Sequence, residues 1–139
     1  MKGFIIETSD KKQIRFKYYD EAAPLTVMEF SNALPFKKSF YHARVSGLEI
    51  WIDDAPELNI PQENASVFTE PGEVVIGPKN PSRNKTAKCM GIYYGEGKGL
   101  DACNIFAKVF DEDLSLLKEL GNKIWREGVQ ELRFDNLVD

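Results

Sequence analysis

Cysteine and histidine are nearly absent from this sequence, and their scarcity excludes several chemistries at once. The cysteines are Cys89 and Cys103, and the one histidine is His42. The cysteines form no Cys-x-x-Cys pair and are too few for a disulfide framework, so they read as buried free thiols, with a single bridge between them as the alternative. Together with His42 they lack the close ligand spacings of a zinc site, and no metal is expected. Long apolar runs are missing too. Phe4-Ile5-Ile6 stops after three residues, well short of the roughly 7–15 of a signal-peptide core. Nothing approaches the ~20 residues that span a bilayer. The chain is therefore expected to be cytoplasmic, and Asn64-Ala65-Ser66 and Asn84-Lys85-Thr86 read as chance matches to the glycosylation pattern. An excess of positive charge is also lacking: 18 basic against 22 acidic residues give a net charge of −4. A nucleic-acid partner, which calls for a basic surface, is not expected, nor is an anionic membrane.

What is present is the balance of a soluble globular domain, with 42% hydrophobic and 29% charged residues over 139 positions. That length holds one core, so residues 1–139 are read as a single domain. Phe4-Ile5-Ile6 and the alternating Ile14-Arg15-Phe16-Lys17-Tyr18 flank a polar link and predict a β-hairpin. From Asp20 to Pro35 the pattern changes. Pro24 suits a first helical turn and Thr26-x-x-Glu29 fits a capping box. Leu25, Met28, Val27, Phe30 and Leu34 then recur at helical spacing, and Pro35 ends the helix. Val74-Val75-Ile76, Ala87 to Tyr94 and Cys103 to Phe110 predict strands, with Gly95-Glu96-Gly97-Lys98-Gly99 as a flexible connection. Tyr93 and Tyr94 fall on opposite faces. Asp111-Glu112-Asp113 opens a second helix, with the acids where its dipole favours them. Leu114, Leu117, Gly121 and Ile124 form its stripe, and Gly128 ends it. Val129 to Phe134 predicts a last strand. The expected fold is mainly β: a small closed barrel of about eight strands with two helices, since closure removes sheet edges.

The stretch from Ser39 to Asp53 carries the most chemistry. With Ser46-Gly47 as a two-residue turn, Arg44 faces Glu49, His42 faces Trp51 and Tyr41 faces Ile52. Tyr41, Ala43, Val45, Leu48, Ile50 and Ile52 then share a core face. Phe40, His42, Arg44, Glu49 and Trp51 share the other, and a purely solvated face rarely needs that set. Arg44 could hold a carbonyl or carboxylate, with Phe40 and Trp51 as an apolar wall. The bland alternative is a cross-strand Arg44–Glu49 ion pair beside packed aromatics, worth roughly 0.2–1 kcal/mol. Asn104 and Phe106 could join the cleft, or serve as a barrel-end hydrogen bond and a core ring. Glu63 could act as a general base, or be a solvated loop residue. His42 has no serine in a nucleophile elbow. Ser-x-x-Lys recurs at Ser9, Ser82 and Ser115 and so identifies nothing. The Gly95–Gly99 stretch fails the P-loop pattern, because Ile92 stands where the first glycine belongs and Gly99 follows Lys98. No cofactor is expected.

Two resemblances follow from these residues. Thr26-Val27-Met28-Glu29-Phe30-Ser31-Asn32-Ala33-Leu34 resembles the first helix of cyclophilins, the prolyl isomerases. Ser39-Phe40-Tyr41-His42-Ala43-Arg44-Val45 resembles their Phe-His-Arg-Val strand with one residue inserted. That likeness implies that Arg44 would polarise the amide of an Xaa-Pro bond. The glycine-rich stretch that follows in cyclophilins is replaced by Leu48-Glu49-Ile50-Trp51. The whole chain is more similar to an uncharacterised prokaryotic family of single-domain proteins with a cyclophilin-like barrel, domain of unknown function 3830. The matching elements are Ala23-Pro24-Leu25-Thr26, Ala43-Arg44-Val45-Ser46-Gly47 with Trp51, Glu63-Asn64-Ala65, Pro71-Gly72-Glu73, Asn104-Ile105-Phe106-Ala107, Leu120-Gly121 and Gly128. This likeness implies a fold and no activity. Three functions stay open. The first is a barrel that binds a small molecule or peptide around Arg44, using Phe40, His42, Glu49, Trp51, Glu63, Asn104 and Phe106. The second is a divergent prolyl isomerase, with Arg44 as the catalytic candidate. The third is a non-catalytic homo-oligomer whose aromatic face is the interface.

Overall fold

The alternation in the first twenty residues does close a hairpin. Phe4 faces Phe16 and Ile6 faces Ile14 across an antiparallel ladder, and all four are buried. In the computed structural model, which describes residues 2–81 and 85–138, these strands are β1 (Gly3–Glu7) and β2 (Gln13–Tyr18). They are followed by α1 (Pro24–Ala33), β3 (Phe36–His42), β4 (Gly47–Ile52), β5 (Ala65–Phe68), β6 (Glu73–Ile76) and β7 (Met90–Val109). A 3-10 turn (Asp111–Asp113), α2 (Leu114–Glu127) and β8 (Gln130–Asn136) complete the chain. Ser82 and Asn84, from the Ser-x-x-Lys and glycosylation matches, lie outside the described residues. Among the described residues, no helix is long and apolar enough to cross a membrane.

Six strands close the barrel in the order β2–β1–β8–β3–β4–β7, and β7 pairs back onto β2. β5 and β6 pair with β7 as two further strands. Residues 74–76 of β6 bond both to 90–92 and to 104–107, so β6 lies between two arms of one long strand. The mainly β barrel with eight strands and two helices is the architecture that the sequence predicts. One detail differs: residues 95–99, expected to be a flexible connection, continue β7 as ladder partners of β4 and β5.

The core is aromatic. Phe4 stacks on Phe16 at 4.9 Å between ring centroids, Phe30 meets Phe106 at 4.8 Å, and Phe36 and Phe40 both stack on Phe134. Each fully buried ring removes enough apolar area from water to contribute ~1.5–3 kcal/mol. α1 supplies Val27 and Phe30 to this core, and α2 supplies Leu117, Leu120 and Ile124. Gly121 lets α2 settle on Tyr94, since a Cβ there would lie 2.3 Å from the ring. Gly128 ends α2 with φ +96°. Asp113 does more than complement a dipole, because its carboxylate accepts bonds from the Arg15 backbone N–H and from Nε and Nη2 of the guanidinium.

Two expectations are corrected. The capping box does not form. The N-cap of α1 is Ala23, without a side-chain bond, and Glu63 caps the helix from a distant loop. Its carboxylate accepts from the backbone N–H groups of Leu25 and Thr26 and from the Thr26 hydroxyl. The helix is accordingly turned so that Thr26, Val27, Phe30 and Ser31 are buried while Leu25 and Met28 are exposed. The β3–β4 register is also one residue away from the expected one. Tyr41 faces Trp51 and His42 faces Ile50, joined by the four residues 43–46 instead of a two-residue turn. A one-residue slip exchanges the faces of a strand. Phe40 is therefore in the core, and Tyr41, Val45 and Leu48, expected inside, are exposed.

Candidate functional site

Strand alternation builds a second surface on the far side of the barrel wall. On β4, Ile50 and Ile52 enter the core, which turns Glu49 and Trp51 the other way. On β7, Ile92 and Tyr94 enter the core, which turns Gly91 and Tyr93 outward beside them. Tyr41 follows from β3. These side chains line a groove of about 890 Å³, with Trp125 of α2 and Leu100 of β7 at its edges. Three of its lining residues, Val75, Tyr93 and Cys103, form with Ile105 a small apolar cluster separate from the main core.

Glu49 is the unusual member, a carboxyl that is only 9% exposed in the wall of an apolar groove. It faces Tyr93 across the β4–β7 ladder. The Ser46 hydroxyl donates to its Oε1, and the Tyr93 hydroxyl approaches as a second donor. Oε2 lies over Gly91, where a Cβ would come within 1.8 Å of it. The space for this carboxylate therefore exists because residue 91 is a glycine. Burial pushes the Glu49 carboxyl above its ordinary range, against the opposing hydrogen bonds from Ser46 and Tyr93. Burial also raises the Tyr93 phenol, with the Glu49 charge adding to the effect.

Arg44 is exposed. The Arg44–Glu49 ion pair that a two-residue turn would bring together is absent, and among the described residues Arg44 has no hydrogen-bond or ion-pair partner. The groove thus has a cation at its edge and a buried acid in its wall, with neither neutralising the other. The His42 ring has both nitrogens engaged, Nδ1 with the Ala43 carbonyl at 2.7 Å and Nε2 with the Tyr94 hydroxyl at 2.7 Å. A carbonyl only accepts, so Nδ1 carries a hydrogen, and in the neutral ring Nε2 accepts from Tyr94. The imidazole also packs edge-on to Trp125 at 4.8 Å. Both cysteines line the groove. Burial holds the Cys89 thiol above its usual range and pushes Cys103 up to about 11, so both are thiols at neutral pH and poor nucleophiles. Among the described residues, no cluster of three or more His, Cys, Asp or Glu is placed to hold a metal.

Of the residues singled out from the sequence, His42, Arg44, Glu49 and Trp51 meet at this groove. The others lie elsewhere. Phe40 and Phe106 are fully buried rings of the barrel core. Asn104 is fully buried, and its amide donates to the Thr26 hydroxyl and the Pro61 carbonyl and accepts from the Glu63 N–H. Glu63 caps α1. Ser46, Tyr93, Tyr41 and Trp125 line the groove without having been singled out as ligand contacts. One signal for them was in the glycine spacing of β7. A Cβ at Gly97 would strike the Tyr93 ring at 2.8 Å, and Gly99 lies against the Tyr93 hydroxyl. With Gly91, they leave room for the side chains of Tyr93 and Glu49.

An antiparallel barrel with one helix closing on its aromatic core and a second packed on its wall defines a cyclophilin-like fold. Within that class, the chain belongs to the family described as a protein of unknown function, DUF3830, whose model matches residues 6–136. No curated protein matches the chain. Among solved structures it is similar to McbB in complex with tryptophan, at 20% identity and a TM-score of 0.70. That match covers 98% of this chain and 46% of McbB, so the chain spans less than half the length of that protein. It is similar to the hypothetical protein AF2241 from Archaeoglobus fulgidus, at 16% identity and TM-score 0.64, covering 98% and 95% of the two chains. It is also similar to the Cryptosporidium parvum cyclophilin-type peptidyl-prolyl cis-trans isomerase cgd2_1660, solved in the presence of the dipeptide Ala-Pro. There the identity is 14%, the TM-score 0.61 and the coverage 99% of each chain. Identities this low establish a shared fold and nothing finer.

Proposed function

We propose that this chain is a ligand-binding barrel that takes a small molecule or short peptide in the groove beside Arg44. The observation that carries this reading is the pairing of an unpartnered arginine with an apolar groove of about 890 Å³. Small-molecule sites are concave and mostly apolar, with a few polar groups fixing orientation. Trp51, Tyr41 and Tyr93 supply the apolar body here, and Arg44 supplies a bidentate donor for a carboxylate or carbonyl. McbB, of the same fold, was solved with tryptophan, which agrees in kind with an aromatic ligand bearing a carboxylate. The test is ligand-induced thermal stabilisation across a panel of small aromatic acids and peptides. Arg44→Ala is expected to abolish the shift while leaving the unliganded melting temperature within a degree or two, because Arg44 is exposed. A variant that responds as wild type does would refute the assignment.

A second reading, a divergent prolyl isomerase, draws on the likeness to the cyclophilin-type structure solved with Ala-Pro. That reaction needs an apolar proline pocket and a donor that weakens amide resonance, which Arg44 beside Trp51 could provide. Cis–trans exchange of an Xaa-Pro peptide, followed by NMR for wild type and Arg44→Ala, decides it. Acceleration that the variant loses would establish the reaction, and no acceleration by wild type would remove it.

A further inference from the structure

Glu49 is not explained by a groove that needs only an arginine and aromatic walls. A buried carboxylate is costly unless it is paired or neutral. Among the described residues no lysine, arginine or histidine pairs with Glu49. The Ser46 and Tyr93 hydroxyls are its polar partners, and both are neutral. Two hydroxyls leave much of a carboxylate's capacity of about four acceptor sites unused. The surroundings are nevertheless shaped to keep the group there, since Gly91 clears the space under Oε2 and Gly97 clears it beside Tyr93. The aromatic walls of the groove also favour a positive charge, because ring faces attract cations. One carboxylate and two neutral hydroxyls make a poor donor set for a divalent metal, which prefers several oxygen or nitrogen ligands.

We propose that Glu49 is the receptor for a ligand's protonated amine, so that the groove selects compounds with an ammonium group on an apolar body. The ammonium sits against Oε2 and donates to it, and the body lies along Trp51 and Tyr93. Where the ligand also carries a carboxylate, Arg44 holds that end, and the ligand class becomes amino-acid-like. This deepens the ligand-binding reading and rests on it.

The experiment is calorimetric titration with 2-phenylethylamine, 3-phenylpropionate, 2-phenylethanol and tryptophan, using wild type, Glu49→Gln and Arg44→Ala. Wild type is expected to prefer the amine over the alcohol of matching length by about tenfold or more, the size of one charge-assisted contact. Glu49→Gln should remove that preference without weakening phenylpropionate binding. Arg44→Ala should do the reverse. The wild-type comparison of amine with alcohol needs no variant, so the proposal stays testable even where Glu49→Gln folds poorly. Equal affinity for amine and alcohol overturns it, as does a Glu49→Gln protein that still prefers the amine. Binding of phenylpropionate alone would sink the ammonium site and leave the groove reading standing. Binding of none of the four overturns both.

Discussion

Gly91→Ala tests the geometry of the Glu49 carboxylate directly. A Cβ at residue 91 would lie 1.8 Å from Oε2 and 2.8 Å from Cδ of Glu49, and its three nearest heavy atoms all belong to that side chain. To restore ordinary contact, the carboxylate must move by about 1.5–2 Å. Such a move breaks or stretches the bond from Ser46, worth roughly 1.5–3 kcal/mol when the acceptor is charged, and displaces the carboxylate from the Tyr93 hydroxyl. Overpacking of this kind costs about 1–3 kcal/mol, and we expect Gly91→Ala to destabilise the chain by about 2 kcal/mol. Made in a Glu49→Ala background, the same substitution meets none of the clashing atoms. There it should be neutral, or stabilise by up to about 0.5–1 kcal/mol through reduced backbone entropy of the unfolded chain. The coupling between the two positions is therefore expected near 2–3 kcal/mol. Urea unfolding of the four proteins measures it, with midpoints compared at a common slope. Costs that add to within about 0.5 kcal/mol would show that the carboxylate does not rest over Gly91.

Three further outcomes are expected. Asn104→Ala removes a fully buried amide that bonds to Thr26, Pro61 and Glu63. It should cost about 2–4 kcal/mol from several unmade bonds, with the ligand response of the remaining folded protein unchanged, and a selective loss of binding would contradict its placement as a structural tie. Gly121→Ala should lower the melting temperature despite alanine's better helix propensity of ~1 kcal/mol, since its Cβ would overlap the Tyr94 ring at 2.3 Å; a stabilised variant would place α2 further from β7. Glu49 should leave a pH signature. Its carboxyl is raised in the folded chain, chiefly by burial, so between the ordinary carboxylate range and that raised value the folded state holds more protons than the unfolded one. Stability therefore falls as pH rises through this window. Glu49→Gln should flatten that slope in denaturation measured from pH 4 upward, and superimposable profiles would refute the shift.

What the sequence made legible was whatever depends on local period. The β1–β2 hairpin follows from Phe4, Ile6, Ile14 and Phe16 alternating inward. The α2 stripe of Leu117, Gly121 and Ile124 follows from helical spacing, and both stand in the structure as read. What was not legible depends on residues distant in the chain. Thr26 and Glu29 have the spacing of a capping box, yet the helix begins earlier, with Ala23 as its N-cap, and Glu63 reaches α1 from 37 positions away to bond the free N–H groups of Leu25 and Thr26. Once those N–H groups are bonded, a local cap has nothing left to satisfy, and the helix turns Thr26 inward. The β3–β4 register failed for the same reason. Ser46-Gly47 is a plausible hairpin turn by itself, but the Ser46 carbonyl accepts from the Lys98 N–H and the Ser46 hydroxyl bonds to Glu49. Gly47 meanwhile packs so closely on Glu96 and Gly97 that a Cβ there would meet both at 2.7 Å. These contacts with β7 fix a four-residue connection and slip the register by one. That slip separates Phe40 from the site candidates and breaks the presumed Arg44–Glu49 pair. It therefore also leaves a buried acid and an exposed arginine that share a groove without neutralising each other. An ion pair across a short turn would have stabilised the hairpin slightly and left the groove with little charge to offer a ligand. The register that the strand adopts gives up that small local contribution and leaves the two opposite charges of the groove unpaired with each other.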